Sequence, residues 1–358
     1  MEVMRNQVSI IIPCYNEEGF IKKCLESIAE NDYAKDKMEI LVVDGRSSDR
    51  TREVIKEFIE KYPFIRLLDN SQKIVPIALN IGIKQAEGEV IIILGSHTTY
   101  PKDYLSKLVY WLEKSDADSV GGICVTEPGA DTFMAQAIAL TLSSPFGVGN
   151  ARFRTIKRDG KPEYVDTVPF GAYKREVIER IGPFDERLER NQDIEFNKRL
   201  IKVGGKILLV PEIVSYYYAR PNMRSLWQNN FANGVWGIYT ACLTKDLKSM
   251  SFRHFIPLLF VSGLFGSMGI SPLVYFGKII FIAILGSYFL LSLFFSRKIA
   301  HNNGVKFFFI MPVFFFTLHF SYGLGSLWGI IKVLSKKCTK YFLQTGSMIE
   351  TGKEGGNL

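Results

Sequence analysis

Four short stretches of the chain carry side chains able to do chemistry. In "VIIILGSHTTYP" (90–101) an apolar run reads as a buried parallel strand, and Gly95, Ser96 and His97 follow it. Open α/β sheets place ligands at the carboxyl ends of such strands, so this turn is a candidate site that holds a histidine and no carboxylate. "PCYNEE" puts Pro13, Tyr15 and Glu17 after the first apolar run, and "VVDGRSSDRT" puts Asp44 at the end of the second. A carboxylate at a strand end can accept two hydrogen bonds from ligand N–H or hydroxyl groups. The imidazole of His97 is a neutral nitrogen ligand, poor for magnesium, which prefers oxygen, and better for manganese. "RNQDIEFNKRL" sets Asp193 at the start of a helical pattern, whose positive end favours an ionised carboxylate.

The intervening sequence must position these groups, and it alternates strand and helix patterns. "VSIIIP" is followed by Ile21, Cys24, Leu25 and Ile28 at helical spacing. "EILVVD" precedes a helix with the inner stripe Val54, Ile55, Phe58 and Ile59, and "IRLLD" precedes a helix beginning near Pro76. Short apolar strands joined by helices imply a doubly wound, mostly parallel sheet. "VGGI" near 121 and "KILLVP" near 208 are further strands, and "DIEFNKRLIKVGG" is a helix closed by glycine. Asp49 and Thr51 read as the start of the second helix.

In order and spacing these motifs resemble the N-terminal half of the family 2 glycosyltransferases, over about Val8 to Lys206. The resemblance implies a GT-A fold (Rossmann-like, mixed mostly parallel) and sugar transfer from a nucleotide-sugar donor. It implies that Pro13, Tyr15 and Glu17 line the nucleotide pocket, that Asp44 binds the base or ribose, and that Lys73, Asn80, Gly95 and Ser96 approach the donor. In most of the family the fourth strand ends in Asp-x-Asp, whose last carboxylate binds a metal bridging the donor phosphates. Here Gly95 and His97 stand at those two positions, as in the succinoglycan-biosynthesis type, where the last ligand is histidine. His97 is thus expected to hold a divalent metal, manganese rather than magnesium; the other readings are a cap on the helix after Pro101 or a direct donor contact. Asp193 matches the family's catalytic base, with Gln192 in place of the usual Glu. "VPFGAYKREV" matches the stretch near the acceptor and donor sugar, where Gly171 and Ala172 would allow close approach of substrate to backbone. "RPNMRSLWQNNFANGVW" is similar to the family's Gln and Trp motif, which points to Gln228 and Trp236 near the acceptor entrance.

Composition divides the chain. From Phe255 to Ser296 the only charged side chain is Lys278, and from Phe307 to Ile331 there is no Asp, Glu, Lys or Arg. Stretches this apolar match the roughly 20 residues that a helix needs to cross a bilayer. The expected domains are a catalytic domain at 1–224, an interfacial amphipathic helix or linker at 225–252, two or three membrane helices within 253–334 and a polar tail at 335–358. Phe255 to about Ile270 and Ile279 to Phe295 would form a hairpin with Lys278 near its far turn, and a segment broken at Gly323 to Gly325 is an option for the third stretch. The opening residues turn polar after a strand-length run, so no secretory signal is expected and the catalytic domain should face the cytoplasm. Five cysteines without pair spacing suggest neither a disulfide framework nor a zinc site. The net charge of +8, with basic residues flanking the apolar stretches, suits an anionic membrane surface; no nucleic-acid recognition motif is present.

The expected function is an inverting, membrane-anchored hexosyltransferase that moves a sugar, from a UDP-sugar by preference, to a hydroxyl of a polyprenyl-diphosphate-linked glycan. That glycan would belong to a surface polysaccharide or a glycoprotein. The alternatives are a polyprenyl-phosphate glycosyltransferase and a non-catalytic, membrane-bound nucleotide-sugar-binding protein.

Overall fold

The computed structural model describes residues 6–245, 251–272 and 274–335. Its strands are β1 Val8–Cys14, β2 Met38–Asp44, β3 Ile65–Asp69, β4 Val90–Ile93, β5 Thr98–Thr99, β6 Ser119–Pro128, β7 Glu163–Tyr164, β8 Ala172–Lys174 and β9 Ile207–Ala219. The first helices are α1 Ile21–Ala29, α2 Thr51–Lys61, α3 Val75–Gln85 and α4 Tyr104–Lys114, followed by α5 Phe133–Ser143, α6 Pro145–Val148 and α7 Arg152–Thr155. Then come α8 Arg175–Ile181, α9 Gln192–Lys202, α10 Met223–Leu243, α11 Ile256–Ile270, α12 Tyr275–Asn303 and α13 Lys306–Leu334. One unit takes in the residues up to Glu127 together with Ala151–Ala219; a second takes in Pro128–Asn150 and the residues from Arg220 on.

The first unit is built on one curled sheet in the order β3-β2-β1-β4-β8-β6-β9-β5, with β7 beside β9. β1 and β2 are buried along nearly their whole length, because helices cover both faces of a parallel sheet and leave no polar side for alternation. The stripe Ile21, Cys24, Leu25 and Ile28 is buried in α1 as its spacing predicts, and Pro76 lies in the first turn of α3. The pairs β3–β2, β2–β1 and β1–β4 are parallel, whereas β4–β8 and β8–β6 are antiparallel. Register aligns the strand ends: Cys14 lies opposite Asp44, and Asp44 opposite Asp69. The loops after β1 and β2 therefore emerge side by side, with the β4 turn next to β1.

Among the described residues the second unit holds three helices long and apolar enough to cross a membrane, Phe252–Ile270, Tyr275–Asn303 and Lys306–Leu334. Lys278 lies in the first turn of α12, near the turn that follows α11, and the same helix continues through Arg297 and Lys298. α13 runs unbroken through Gly323 and Gly325, which corrects the broken-segment option. The glycines serve packing: a Cβ at Gly323 would lie 2.3 Å from the Pro257 carbonyl oxygen, and one at Gly325 2.0 Å from that of Phe231. They let α13 lie against α11 and α10, as small residues do in helix pairs. Lys336, Lys337 and Lys340 lie outside the described residues.

Candidate active site

The loop after β2 grips the loop after β1. Asn16 N–H donates to Ser47 Oγ at 2.8 Å, Ser48 N–H to Asn16 Oδ1 at 2.8 Å, Glu17 N–H to Thr51 Oγ1 at 2.7 Å and Glu18 N–H to Asp49 Oδ2 at 3.2 Å. Asp49 and Thr51 thus fix the backbone on either side of Glu17, besides opening α2. Asp44 is fully buried; Arg52 Nη1 donates to its Oδ2 at 2.6 Å, and Ser47 donates to both carboxylate oxygens. A base or ribose reaches that carboxylate only by displacing one of these partners. Arg52 also meets Asp69 at 2.6 Å, so it ties the β2 and β3 ends together.

Tyr15 packs on Gly45, where a Cβ would fall 3.1 Å from the ring, and Lys73 Nζ stands 5.2 Å from the ring centroid. The fold thereby brings Pro13, Tyr15, Asp44 and Lys73 to one sheet edge. Asn80 is engaged elsewhere: it exchanges hydrogen bonds with the Phe184 backbone and donates to Glu186 Oε1. These bonds use its amide on both sides to hold the loop before α9.

The turn after β4 explains the missing carboxylate. A Cβ at Gly95 would lie 2.6 Å from Phe170 Cε1, so the Phe170 ring occupies the space that an aspartate side chain would need. Tyr104 holds Phe170 in place by donating to its carbonyl at 2.7 Å. Ser96 is buried. His97 Nε2 meets Glu17 Oε1 at 2.6 Å, and the Phe20 ring lies edge-on with a centroid separation of 4.9 Å. His97 Nδ1 is buried without a hydrogen-bond partner among the described residues. His97 does not cap α4, whose preceding residue is Asp103.

Among the described residues no group of three or more His, Cys, Asp or Glu side chains converges on one point. An imidazole with an unpartnered nitrogen beside a carboxylate still fits a borderline divalent ion, given that diphosphate oxygens and water fill its other positions. His97 and Glu17 are the residues that would hold it, and the ion would neutralise charge on the departing diphosphate.

The second half of the site hangs from β8. Ile93 N–H donates to Gly171 O at 3.0 Å, and Ala172 pairs with Ile92. A Cβ at Gly171 would lie 2.9 Å from the Val120 carbonyl. The close approach at Gly171 is therefore to the chain's own sheet, and Ala172 is fully buried within it, which places neither on an open surface. Tyr173 hydrogen-bonds Asn197 at 3.0 Å, Asn197 bonds Thr167 at 2.8 Å, and Phe196 stacks on Phe184 at 4.0 Å. These contacts fix α9 against the sheet. Its first turn carries Gln192, Asp193 and Glu195; Glu195 is bound by Arg199, and Asp193 is exposed at the positive helix end. Burial pushes the Tyr173 hydroxyl well above its usual range, and the negative charge of Asp193 adds to this, so Tyr173 stays a neutral hydrogen-bond donor beneath the helix.

Six non-glycine residues have positive φ among the described residues, and five of them are Asn16, Arg46, Lys73, Phe170 and Asn191. All five lie in the loops just described, where backbone strain of this kind concentrates in working sites. The sequence offered no signal for Phe170, an ordinary aromatic, or for Arg52. Gln228 is exposed on α10, and Trp236 packs edge-on against Tyr239 at 5.5 Å; both belong to the second unit.

A parallel half ending in a clamped pair of loops, joined to an antiparallel half that holds an acidic helix start, is the architecture of a nucleotide-sugar transferase. The chain belongs to glycosyltransferase family 2: the model "Glycosyl transferase family 2" matches residues 9–182. It is 34% identical over 236 residues, 64% of this chain and 72% of the relative, to the dolichyl N-acetyl-alpha-D-glucosaminyl phosphate 3-beta-D-2,3-diacetamido-2,3-dideoxy-beta-D-glucuronosyltransferase of Methanococcus voltae. It is 28% identical over 227 residues, 63% of this chain and 67% of the relative, to the succinoglycan biosynthesis protein ExoA of Rhizobium meliloti (strain 1021). The mannosyltransferase PcManGT from Pyrobaculum calidifontis, solved with GDP-Man and Mn2+, has a TM-score of 0.58 at 20% identity, covering 90% of this chain and 88% of that one. That likeness bears out the GT-A fold. The chain is an enzyme, a glycosyltransferase with three helices able to span a membrane.

Proposed function

We propose that the enzyme transfers one sugar, with inversion, from a nucleotide diphosphate donor to a hydroxyl of a glycan carried on a polyprenyl diphosphate. The observation that carries this reading is the union, in one chain, of the family 2 site with three helices able to cross a bilayer. A freely diffusing acceptor needs no such anchor, whereas a lipid-linked one is concentrated near an enzyme held at the same surface. The name of the Methanococcus relative, which specifies a dolichyl-phosphate-linked sugar, supports a lipid-linked acceptor. UDP-sugars are the preferred donors. Arg297, Lys298 and Lys306 flank the turn between α12 and α13, and the positive-inside rule puts that turn on the cytoplasmic side of the cell membrane.

In this mechanism the acceptor hydroxyl gives its proton to the Asp193 carboxylate as its oxygen bonds to the anomeric carbon. The nucleoside diphosphate leaves with the electron pair of the broken bond. The start of α9 favours the ionised base, and the Tyr173–Asn197–Thr167 chain holds that helix in place. His97, with Glu17, would hold a divalent ion, Mn2+ in preference to Mg2+.

The test uses the reconstituted full chain with a nucleotide-sugar panel and lipid-linked glycan acceptors. Asp193→Asn should lower turnover by about 10²–10⁴-fold, the usual contribution of a general base, with donor affinity unchanged. A variant of undiminished activity would remove Asp193 from the reaction and point to an acceptor that is already ionised, such as a polyprenyl phosphate.

A further inference from the structure

The segment 152–161, "RFRTIKRDGK", holds five basic residues and one acid. Arg152 is neutralised by Glu163, through contacts of 2.5 and 2.9 Å. Arg154 and Arg158 are not neutralised: neither has a carboxylate in ion-pair reach among the described residues. Both are nevertheless held in place. The Arg154 guanidinium lies 5.3 Å from the Tyr217 ring centroid and 5.6 Å from that of Phe153, and its Nη1 donates to Thr126 Oγ1. The Arg158 guanidinium lies 5.6 Å from the Tyr216 centroid, and its Nη2 donates to the Tyr216 hydroxyl at 3.2 Å.

An aromatic ring near a guanidinium supplies no counter-charge, so the N–H groups of Arg154 not bonded to Thr126, and those of Arg158 not bonded to Tyr216, remain to meet an anion. The supporting strand is also the one that meets the His97 segment. Tyr217 pairs with Thr98, Tyr216 with Thr99, and Tyr218 N–H donates to His97 O at 3.0 Å. In the sheet order these arms stand on the far side of β4 from Asp44.

We propose that Arg154, assisted by Arg158, is a binding site for the phosphate or diphosphate group of a substrate. Planar guanidinium groups bind phosphate through two parallel N–H···O bonds, which a lysine cannot reproduce. Two substrates of a transferase acting on lipid-linked glycans carry that chemistry: the donor, through its diphosphate, and the acceptor, through its lipid phosphate. The second source rests on the reading given under Proposed function; the first rests only on family membership.

The experiment measures binding to the purified full chain in detergent, with Mn2+ present, of UDP and GDP in one arm and farnesyl diphosphate in the other. Arg154→Ala should weaken at least one arm by about tenfold or more, Arg154→Lys should weaken the same arm less, and Arg158→Ala should follow with a smaller loss, in line with lost charge-assisted bonds. The arm that moves identifies the substrate. Melting temperatures and binding in the unaffected arm show that the variants fold, and Arg154→Lys serves if the alanine variant does not. Unchanged affinity of folded Arg154→Ala in both arms would overturn the proposal. Failure of the lipid-linked reading shows separately, as no farnesyl diphosphate binding by the wild type, and the nucleotide arm then decides the site alone.

Discussion

Glu17 Oε1 lies 2.6 Å from His97 Nε2, so the carboxylate that the fourth strand end lacks arrives from the loop after the first. An imidazole that donates one N–H to a carboxylate has its tautomer and ring orientation fixed, and the other nitrogen keeps its lone pair. Removing such an orienting carboxylate from a metal-binding histidine usually costs 10–100-fold in metal affinity. Glu17→Ala should therefore weaken Mn2+ binding by about that factor, as read by electron paramagnetic resonance with UDP present, and His97→Ala should weaken it further. Glu17→Gln, which still accepts a hydrogen bond, should lose less. Wild-type affinity in Glu17→Ala would show that the pair plays no part in holding metal.

Gly95 and Phe170 are sterically exclusive of any larger pair. Restoring an aspartate with Gly95→Asp drives its Cβ to 2.6 Å from the Phe170 ring, an overpacking that costs about 1–3 kcal/mol. Thermal unfolding should show the loss, and the double variant Gly95→Asp/Phe170→Ala should be less destabilised than the two single losses added together, because the sites touch. Additive losses would mean that Phe170 is not the obstruction.

Helix packing in the second unit depends on glycine at particular places. A Cβ at Gly325 would lie 2.0 Å from Phe231 O, and one at Gly234 2.0 Å from Tyr322 O. These are backbone atoms, which cannot rotate away. Gly325→Val and Gly234→Val should separate α10 from α13 and lower the melting temperature in detergent markedly, whereas Gly266→Ala, with nothing within 4 Å, should be close to neutral. Equal effects at all three positions would contradict the packing described.

One ion pair in the first unit sets a pH signature. The Arg152 guanidinium bonded to Glu163 holds that carboxyl below its usual range. A lowered carboxylate value stabilises the fold above the unfolded-state value of about 4.3, and that contribution is lost as pH falls through the folded-state value. The two side chains are 48% and 33% exposed, so solvent screening keeps the effect small. Glu163→Gln should melt slightly earlier than wild type at pH 7, and the difference should vanish only well below pH 4. A difference that persists there would assign the effect to packing.

The strand-end constellation was legible because parallel strands are buried on both faces and leave their polar groups only at the ends. The place of Asp193 at the start of a helix was legible because helix starts have their own residue preferences. Nothing local in the sequence shows that the Asn80 amide ties down Phe184 and Glu186, about a hundred positions later. Nor does the sequence show the surroundings of Arg154, since Tyr217 and Thr126 come from β9 and β6, distant along the chain.

By itself the sequence determined the parallel sheet, the membrane-length helices and the order of the motifs, because apolar periodicity and run length act within one element. Only the tertiary structure decided that Glu17 meets His97, that Phe170 forbids a side chain at residue 95, and that α13 passes its glycines without a break. Those outcomes depend on strand register and on contacts between distant segments, where a shift of one residue would exchange every partner.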